Sequence, residues 1–212
     1  TLTTINDGEQ DVFGKAISTT INGGVQFVSG TATTTIINGG TQRISDGGTA
    51  TSTTINRGGQ QYISSGGSAI FTTINSAGEQ HVYSSGLATD TTLNSGGFQL
   101  ISSGGLATSS TINSSGRQYV SSGGSATFTT IMTEGQQYIS TGGTATATTI
   151  NSGGVQLIDG GLVTSTIING DGYQYVSNGG TATSTIINSG GVQYVSSGGS
   201  ATDVTMNGGS QI

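Results

Sequence analysis

Three columns of apolar residues recur in fixed order along all 212 residues, and that repeat constrains the fold more than any other feature. The first column is β-branched: Val12, Val28, Ile44, Ile63, Val82, Ile101, Val120, Ile139, Ile158, Val176 and Val195. The second holds small residues: Ala16, Ala32, Ala50, Ala69, Ala88, Ala107, Ala126, Ala145, Val163, Ala182 and Ala201. The third runs Ile5, Ile21, Ile37, Ile55, Ile74, Leu93, Ile112, Ile131, Ile150, Ile168, Ile187 and Met206. The small residue precedes the third column by five positions throughout. Its distance from the first column is six positions in most repeats, four in the first two, and five from Ile158 to Val163. These length changes fall in the Ser-Ser-Gly-Gly stretch, so that stretch is a turn between rigid strands.

A period near nineteen residues is the signature of a solenoid. Gly, Thr and Ser form helices poorly, and no i, i+3, i+4 stripe appears, so strands of three to five residues separated by Gly turns are expected. One coil carries too little apolar surface to fold alone; stacked coils align each column into a continuous core. The expected fold is all-β, a parallel β-helix (β-solenoid) of about eleven coils, forming a single domain over residues 1–212. At a rung spacing of about 4.8 Å the rod is on the order of 50 Å long.

Composition agrees. The chain has 39 Gly and is rich in Ser and Thr, which alone would read as a flexible linker. Yet 31% of its residues are hydrophobic, and they sit at fixed intervals. The absence of Cys suits a surface protein that must stay unfolded during export. A net charge of −6, with only Lys15, Arg43, Arg57 and Arg117 as strong bases, argues against nucleic acid. No run is long and apolar enough for a membrane-spanning helix, so direct membrane insertion by this segment is not expected. The chain opens in mid-pattern, at Thr1-Leu2-Thr3-Thr4-Ile5-Asn6, and reads as a piece of something longer.

Two amide columns accompany the apolar ones. Asn22, Asn38, Asn56, Asn75, Asn94, Asn113, Asn151, Asn169 and Asn188 mark one corner, where an Asn can take left-handed dihedrals and hydrogen-bond its copies. Met132 interrupts that column. A Gln column, Gln10 through Gln211, offers a second ladder.

Strand alternation assigns the outward faces. With Val120 inward, Tyr119 and Ser121 point out; with Ala126 and Ile131 inward, Thr127 and Thr130 point out, and Thr129 points in. The outward column after the Val or Ile includes Ser64, Ser102, Ser121, Ser140, Ser177 and Ser196, with Tyr83 and Asp159 as departures. The column after the Ala includes Thr51, Thr89, Thr108, Thr127, Thr146, Thr183 and Thr202, interrupted by Ile70. These hydroxyls either keep a charge-poor β-surface soluble or serve as acceptors for O-linked sugar, itself bulky and solubilising. An aromatic stripe with Tyr62, Tyr119, Tyr138, Tyr175 and Tyr194 runs beside them, with Phe27, His81, Leu100, Leu157 and Arg43 in register. It serves either cross-strand packing, worth about 0.2–1 kcal/mol per pair, or contact with sugars or another rod.

Catalytic chemistry is missing. There is one His, and the ten carboxylates fall mostly in different coils at turn-like positions, so no converging acid–base group is assembled. No enzyme activity, metal or cofactor is expected.

The consensus Gly-Gly-x-Gln-x-Val-Ser-Ser-Gly-Gly-x-Ala-Thr-x-Thr-Ile-Asn, with clear copies at 59–75, 97–113, 154–169 and 191–207, resembles the passenger repeats of self-associating autotransporter adhesins of Gram-negative bacteria. The nearest branches are the diffuse-adherence, TibA-type and antigen-43-like adhesins. The resemblance implies a right-handed parallel β-helix, displayed on the cell surface by an outer-membrane barrel beyond this segment. It further implies adhesion to host cells, autoaggregation and biofilm formation. In the glycosylated branch a heptosyltransferase attaches heptose to passenger Ser and Thr, and the outward hydroxyls named above are the matching acceptors. Two other readings fit the pattern: a spacer stalk without its own binding role, and an ice-binding Thr ladder, whose array Phe71 and Phe128 would spoil.

Overall fold

The computed structural model describes residues 2–212, and in it most repeats become one coil of three short strands, the second and third being fused into one seven-residue strand at Lys15–Ile21 and at Thr31–Ile37. In a central coil the three are Arg117–Val120, Ser125–Thr127 and Thr130–Ile131. The Gln-bearing strands stack into a 12-stranded sheet, and the other two kinds share a 21-stranded sheet. Every strand pairing is parallel and like meets like: Gln99 with Gln118 and Gln137, Ala107 with Ala126 and Ala145, Ile112 with Ile131 and Ile150. Among the described residues there is no helix. The fold is a parallel β-solenoid of about eleven turns.

The apolar columns form two buried clusters rather than one. The Val/Ile column packs with the Ala column, and the third column packs on itself. From Ile21 to Ile187 the third column is fully buried, whereas Met206 in the last coil is 58% exposed. Each buried Val or Ile contributes about 1.5–3 kcal/mol of transfer free energy, realised only when coils above and below cover it.

Between the clusters runs a polar seam. Gln residues from Gln26 to Gln193 are wholly buried, and so is a hydroxyl column comprising Thr19, Thr35, Thr53, Thr72, Thr91, Ser110, Thr129, Thr148, Thr166 and Thr185. Gln118 Nε2 donates to Gln99 Oε1 at 2.6 Å, and Gln137 Nε2 donates to Gln118 Oε1 at 2.7 Å. Thr129 Oγ1 donates to Gln118 Oε1 at 3.4 Å and accepts from Gln137 Nε2 at 3.2 Å. Each amide therefore needs the rung above and the rung below. Among the described residues no buried side-chain nitrogen or oxygen lacks a partner. The expected amide ladder thus exists, and it lies inside the rod: Gln118 is two residues before Val120 and shares its face.

Three bends close each coil. At Ser121–Gly124 the two central residues, Ser122 and Gly123, have φ of +46° and +85°, and the Gly124 N–H donates to the Ser121 carbonyl at 2.9 Å. Both central residues are left-handed, the type I′ arrangement that favours Gly. Gly124 is required for a different reason: a Cβ there would stand 2.3 Å from the Ile101 carbonyl oxygen.

The second bend corrects a sequence expectation. The Asn column is not left-handed. At the Asn corner the left-handed residue is two positions later, as at Ala77, Ser115, Glu134 and Asp171, and a second lies four positions before the Asn: Ser18, Thr34, Ser52, Phe71, Asp90, Ser109, Phe128, Ala147, Ser165, Ser184 and Asp203 all have φ between +53° and +58°. One such residue turns the Ala strand sharply into the Thr-Ile strand and sends the following Thr into the seam. For a non-Gly residue the conformation costs roughly 1–2 kcal/mol. Stacking of each corner on its copies offsets that cost: the Phe71 N–H donates to Thr89 O, and the Phe128 N–H to Thr146 O, both at 3.0 Å.

The Asn residues sit at the third bend and form the expected external ladder, each Nδ2–H from Asn22 to Asn113 donating to the Oδ1 of the Asn one rung before it at 2.8–3.0 Å. Where Met132 interrupts the column, its sulfur takes the acceptor role, 3.4 Å from Asn151 Nδ2. The ladder resumes at Asn169.

Candidate modification and contact surfaces

Alternation puts the predicted hydroxyl columns on the outer faces, as expected, but their accessibility varies. Ser64, Ser102, Ser121, Ser140 and Ser177 are half-buried, as are Thr51, Thr89, Thr108, Thr127 and Thr183; Ser196, Thr146 and Thr202 are exposed. The rungs above and below screen each hydroxyl. Parts of the Thr column are hydrogen-bonded along the rod, Thr164 Oγ1 donating to Thr146 Oγ1 at 3.2 Å and Thr202 Oγ1 to Thr183 Oγ1 at 3.4 Å.

A further hydroxyl row stands farther out, and strand reasoning missed it. Ser65, Ser84, Ser103, Ser122 and Thr141 occupy the tips of the Gly-rich turns and are exposed. Their backbones stack in register: the Ser65 N–H donates to Ser84 O at 2.8 Å, Ser84 to Ser103 O at 2.9 Å, and Ser103 to Ser122 O at 2.9 Å. The signal for this row was present in the sequence, as the second residue of each four-residue turn (Ser-Ser-Gly-Gly and its variants). Alternation assigns only strand residues, so it gave that residue no face.

Side-chain charges are sparse. Among the described residues, no group of three or more His, Asp or Glu side chains is placed to hold a metal ion. His81 lies 3.1 Å from Glu79 Oε2 and stacks on Tyr62 at a centroid distance of 4.8 Å.

The aromatic stripe is continuous in its middle. Arg43 lies over the Tyr62 ring, 5.0 Å from its centroid. Beyond His81, where Leu100 interrupts the column, Phe98 from the neighbouring outward column supplies a ring, 6.1 Å from His81 and 5.3 Å from Tyr119. Tyr119 and Tyr138 stack at 4.4 Å with planes 7° apart, and Tyr175 and Tyr194 at 5.0 Å and 8°. Burial, and secondarily the adjacent Tyr119 phenol, raise the Tyr138 hydroxyl above its ordinary pKa; that hydroxyl donates to Gln136 Oε1 at 2.7 Å. Between Tyr138 and Tyr175 the stack is broken at Leu157, and a cleft of about 350 Å³ opens there.

On the far side, Phe71 and Phe128 project from the left-handed corner, 56% and 64% exposed. Ile36, Ile167 and Ile186 replace Thr on the adjoining face and are each close to 40% exposed. These apolar side chains interrupt the regular Thr array that ice matching requires.

The chain matches a family model described as an adhesin of the bacterial autotransporter system, probable stalk, over residues 46–97 and 102–154. No curated protein sequence matches it. Among solved structures it is similar to the crystal structure of a TibC-catalysed, hyperglycosylated TibA fragment. That likeness has 39% sequence identity and a TM-score of 0.81, and covers 100% of this chain and 97% of the other.

Proposed function

The chain belongs to the autotransporter adhesins, as a segment of their repetitive stalk, and on that premise we propose that it is an O-heptosylated adhesive rod acting in host-cell adhesion, autoaggregation and biofilm formation at the bacterial surface. The observation that carries the reading is the stacking of Ser and Thr in outward columns, one hydroxyl per rung, on a chain with only 7% charged residues. The hyperglycosylation of a TibA fragment that aligns with this chain end to end supports it.

Sugar transfer needs an acceptor oxygen open to attack on the anomeric carbon. The acceptors are Ser64, Ser102, Ser121, Ser140, Ser177 and Ser196 and the Thr51-to-Thr202 column, together with the turn-tip hydroxyls Ser65, Ser103 and Ser122. Rungs lie about 4.8 Å apart, close to the thickness of a sugar chair, so sugars on successive rungs can stack side by side. Such a coat hydrates a surface that few charges protect. Adhesion then works by repetition: many hydrogen bonds of about 0.5–1.5 kcal/mol each, made together along one rod. The aromatic stripe of Tyr62, Tyr119, Tyr138, Tyr175 and Tyr194 is a second contact surface in this reading, for another rod or for sugar.

The test is the intact mass of the segment co-expressed with a heptosyltransferase of the TibC type. The expected result is a ladder of masses spaced by whole heptose units, mapping by fragmentation to the outward and turn-tip hydroxyls. A single unmodified mass would overturn the glycosylation reading. Clumping of rod-displaying cells that survives Thr127→Lys with Thr146→Lys, and then the corresponding changes on each other face, would overturn rod-to-rod contact. It would leave the stalk as a spacer, a role that the description of the family model itself favours.

A further inference from the structure

Three departures from the repeat fall in one coil and meet at one place. The strand Val155–Asp159 carries Leu157 where its flanking coils carry Tyr138 and Tyr175. It carries Asp159, the one carboxylate in a column otherwise made almost entirely of hydroxyls, between Ser140 and Ser177. Its turn is one residue short, Asp159-Gly160-Gly161 replacing Ser-Ser-Gly-Gly, so the ridge is notched beside the cleft. An antiparallel bridge from Ser140 to Gly160 holds the shortened turn against its neighbour.

The result is a built recess. At Leu100 the missing ring is replaced by Phe98. At Leu157 the corresponding residue is Val155, which has no ring. Tyr119 covers one face of Tyr138, and Tyr194 covers one face of Tyr175, so their other faces look toward each other across Leu157. Leu157 is shorter than Tyr and makes a low apolar floor. Two rungs set the facing rings about 9.6 Å apart.

We propose that this cleft binds a single pyranose ring, held between Tyr138 and Tyr175 over Leu157 and gripped at its hydroxyl edge by Asp159, Ser140 and Ser177. Contact distances of about 3.5–4.0 Å on each side leave room for a puckered chair. An aromatic ring also fits that gap, as Tyr does at other rungs, and the row of Asp159, Ser140 and Ser177 oxygens is what selects a polyhydroxyl ligand over it. The carboxylate accepts two neighbouring hydroxyls, and the flanking Ser residues both donate and accept. The inference rests on the reading of the aromatic stripe as a contact surface and names its ligand. The sugar comes either from a foreign glycan or from heptose on another rod.

The experiment titrates the ¹⁵N-labelled chain with methyl α-glucoside, methyl β-galactoside, methyl α-mannoside and methyl heptoside, following the amides of Ser140, Leu157, Asp159 and Ser177. Saturable shifts confined to this coil are expected. Two variants restore the repeat and so keep the fold: Leu157→Tyr refills the stack, and Asp159→Ser restores the hydroxyl column. Both should weaken binding by about tenfold or more, the scale of losing one charge-assisted hydrogen bond or an aromatic wall. A response to the heptoside and to heptosylated Leu157→Tyr rods identifies sugar borne by another rod; a response to hexosides alone identifies a foreign glycan; either supports the site. Absence of saturable shifts with all four pyranosides, equal binding by the variants, or a response to ethylguanidinium alone would overturn it. Cell clumping separates this site from the stripe. If Leu157→Tyr and Asp159→Ser leave clumping intact while Tyr119→Ser with Tyr194→Ser abolishes it, the stripe stands without the cleft. If the tyrosine variants also leave clumping intact, the stripe reading fails, and the titration still decides the cleft.

Discussion

Replacing Gln118 by Met tests whether the buried seam stabilises the rod or is merely tolerated. Met has the length and unbranched shape of Gln, so packing is conserved and hydrogen bonding is what changes. The substitution removes the donor to Gln99 Oε1 and the acceptor of Gln137 Nε2 and Thr129 Oγ1. Gln99 Oε1 keeps Ser110 Oγ as a donor at 3.4 Å, so its loss is partial. Gln137 keeps one of its two N–H bonds, to Thr129, and the other is orphaned in a fully buried site. The Thr129 hydroxyl proton loses its acceptor as well. Two donors left without their amide oxygen at about 1–3 kcal/mol each, less the apolar gain and the weak acceptor capacity of the thioether, give a net cost of about 2–4 kcal/mol. In urea, with a slope near 3 kcal/mol per molar, the midpoint falls by roughly 1 M. Far-UV circular dichroism reads the midpoint. Hydrogen exchange should quicken first at the amides of rungs 99, 118 and 137, because coils in a solenoid are coupled chiefly to their neighbours. Ser121→Ala, on the outer face of the same coil, is the control and should change stability by less than about 0.5 kcal/mol. A Gln118→Met midpoint equal to that of the control would refute the reasoning.

The two glycines of one turn should separate by mechanism. Gly123→Ala meets only a left-handed φ of +85° and an ordinary contact 3.7 Å from the Gly104 nitrogen, so it costs about 1–2 kcal/mol. Gly124→Ala drives a Cβ to 2.3 Å from the Ile101 carbonyl and should cost clearly more, read as a larger fall in the urea midpoint. Gln137→Glu should make stability depend on pH. Burial raises a carboxyl pKa above its unfolded value of about 4.3, so the neutral acid keeps its place in the seam at lower pH. Stability is then fully present below pH ~4.3 and falls by about 1.4 kcal/mol per unit above it, up to the raised folded pKa. A flat profile from pH 4 to 7 in urea melts would contradict that.

Period and composition made most of the architecture legible. A column that repeats every coil, with its spacing changes confined to Gly-rich stretches, leaves a stack of short strands as the only way to bury Ile and Val without a helix. Alternation then gave the outward Ser, Thr and Tyr columns correctly, and Thr129 inward. The Asn corner was identified as a ladder but given the wrong backbone. Asn is the commonest non-Gly residue in left-handed conformations, yet here the positive φ falls two residues after the Asn and two residues after the Ala, at Ser, Thr, Phe, Ala, Glu, Asp and Gly. Local preference yields there to the geometry of closing a coil.

That this chain is a rod, which residues share a column, how many coils stack and where the turns must lie are all written in the repeat. These follow from chain periodicity and from the steric demands of Gly, and both are local. Which amide ladder is buried, which hydroxyls stand clear of their neighbours, and that Leu157, Asp159 and a shortened turn open one cleft between two tyrosines emerge only when the coils are stacked. Those outcomes depend on distances between rungs, where hydrogen bonds close, rings stack and water is excluded, and no property of a single repeat contains them.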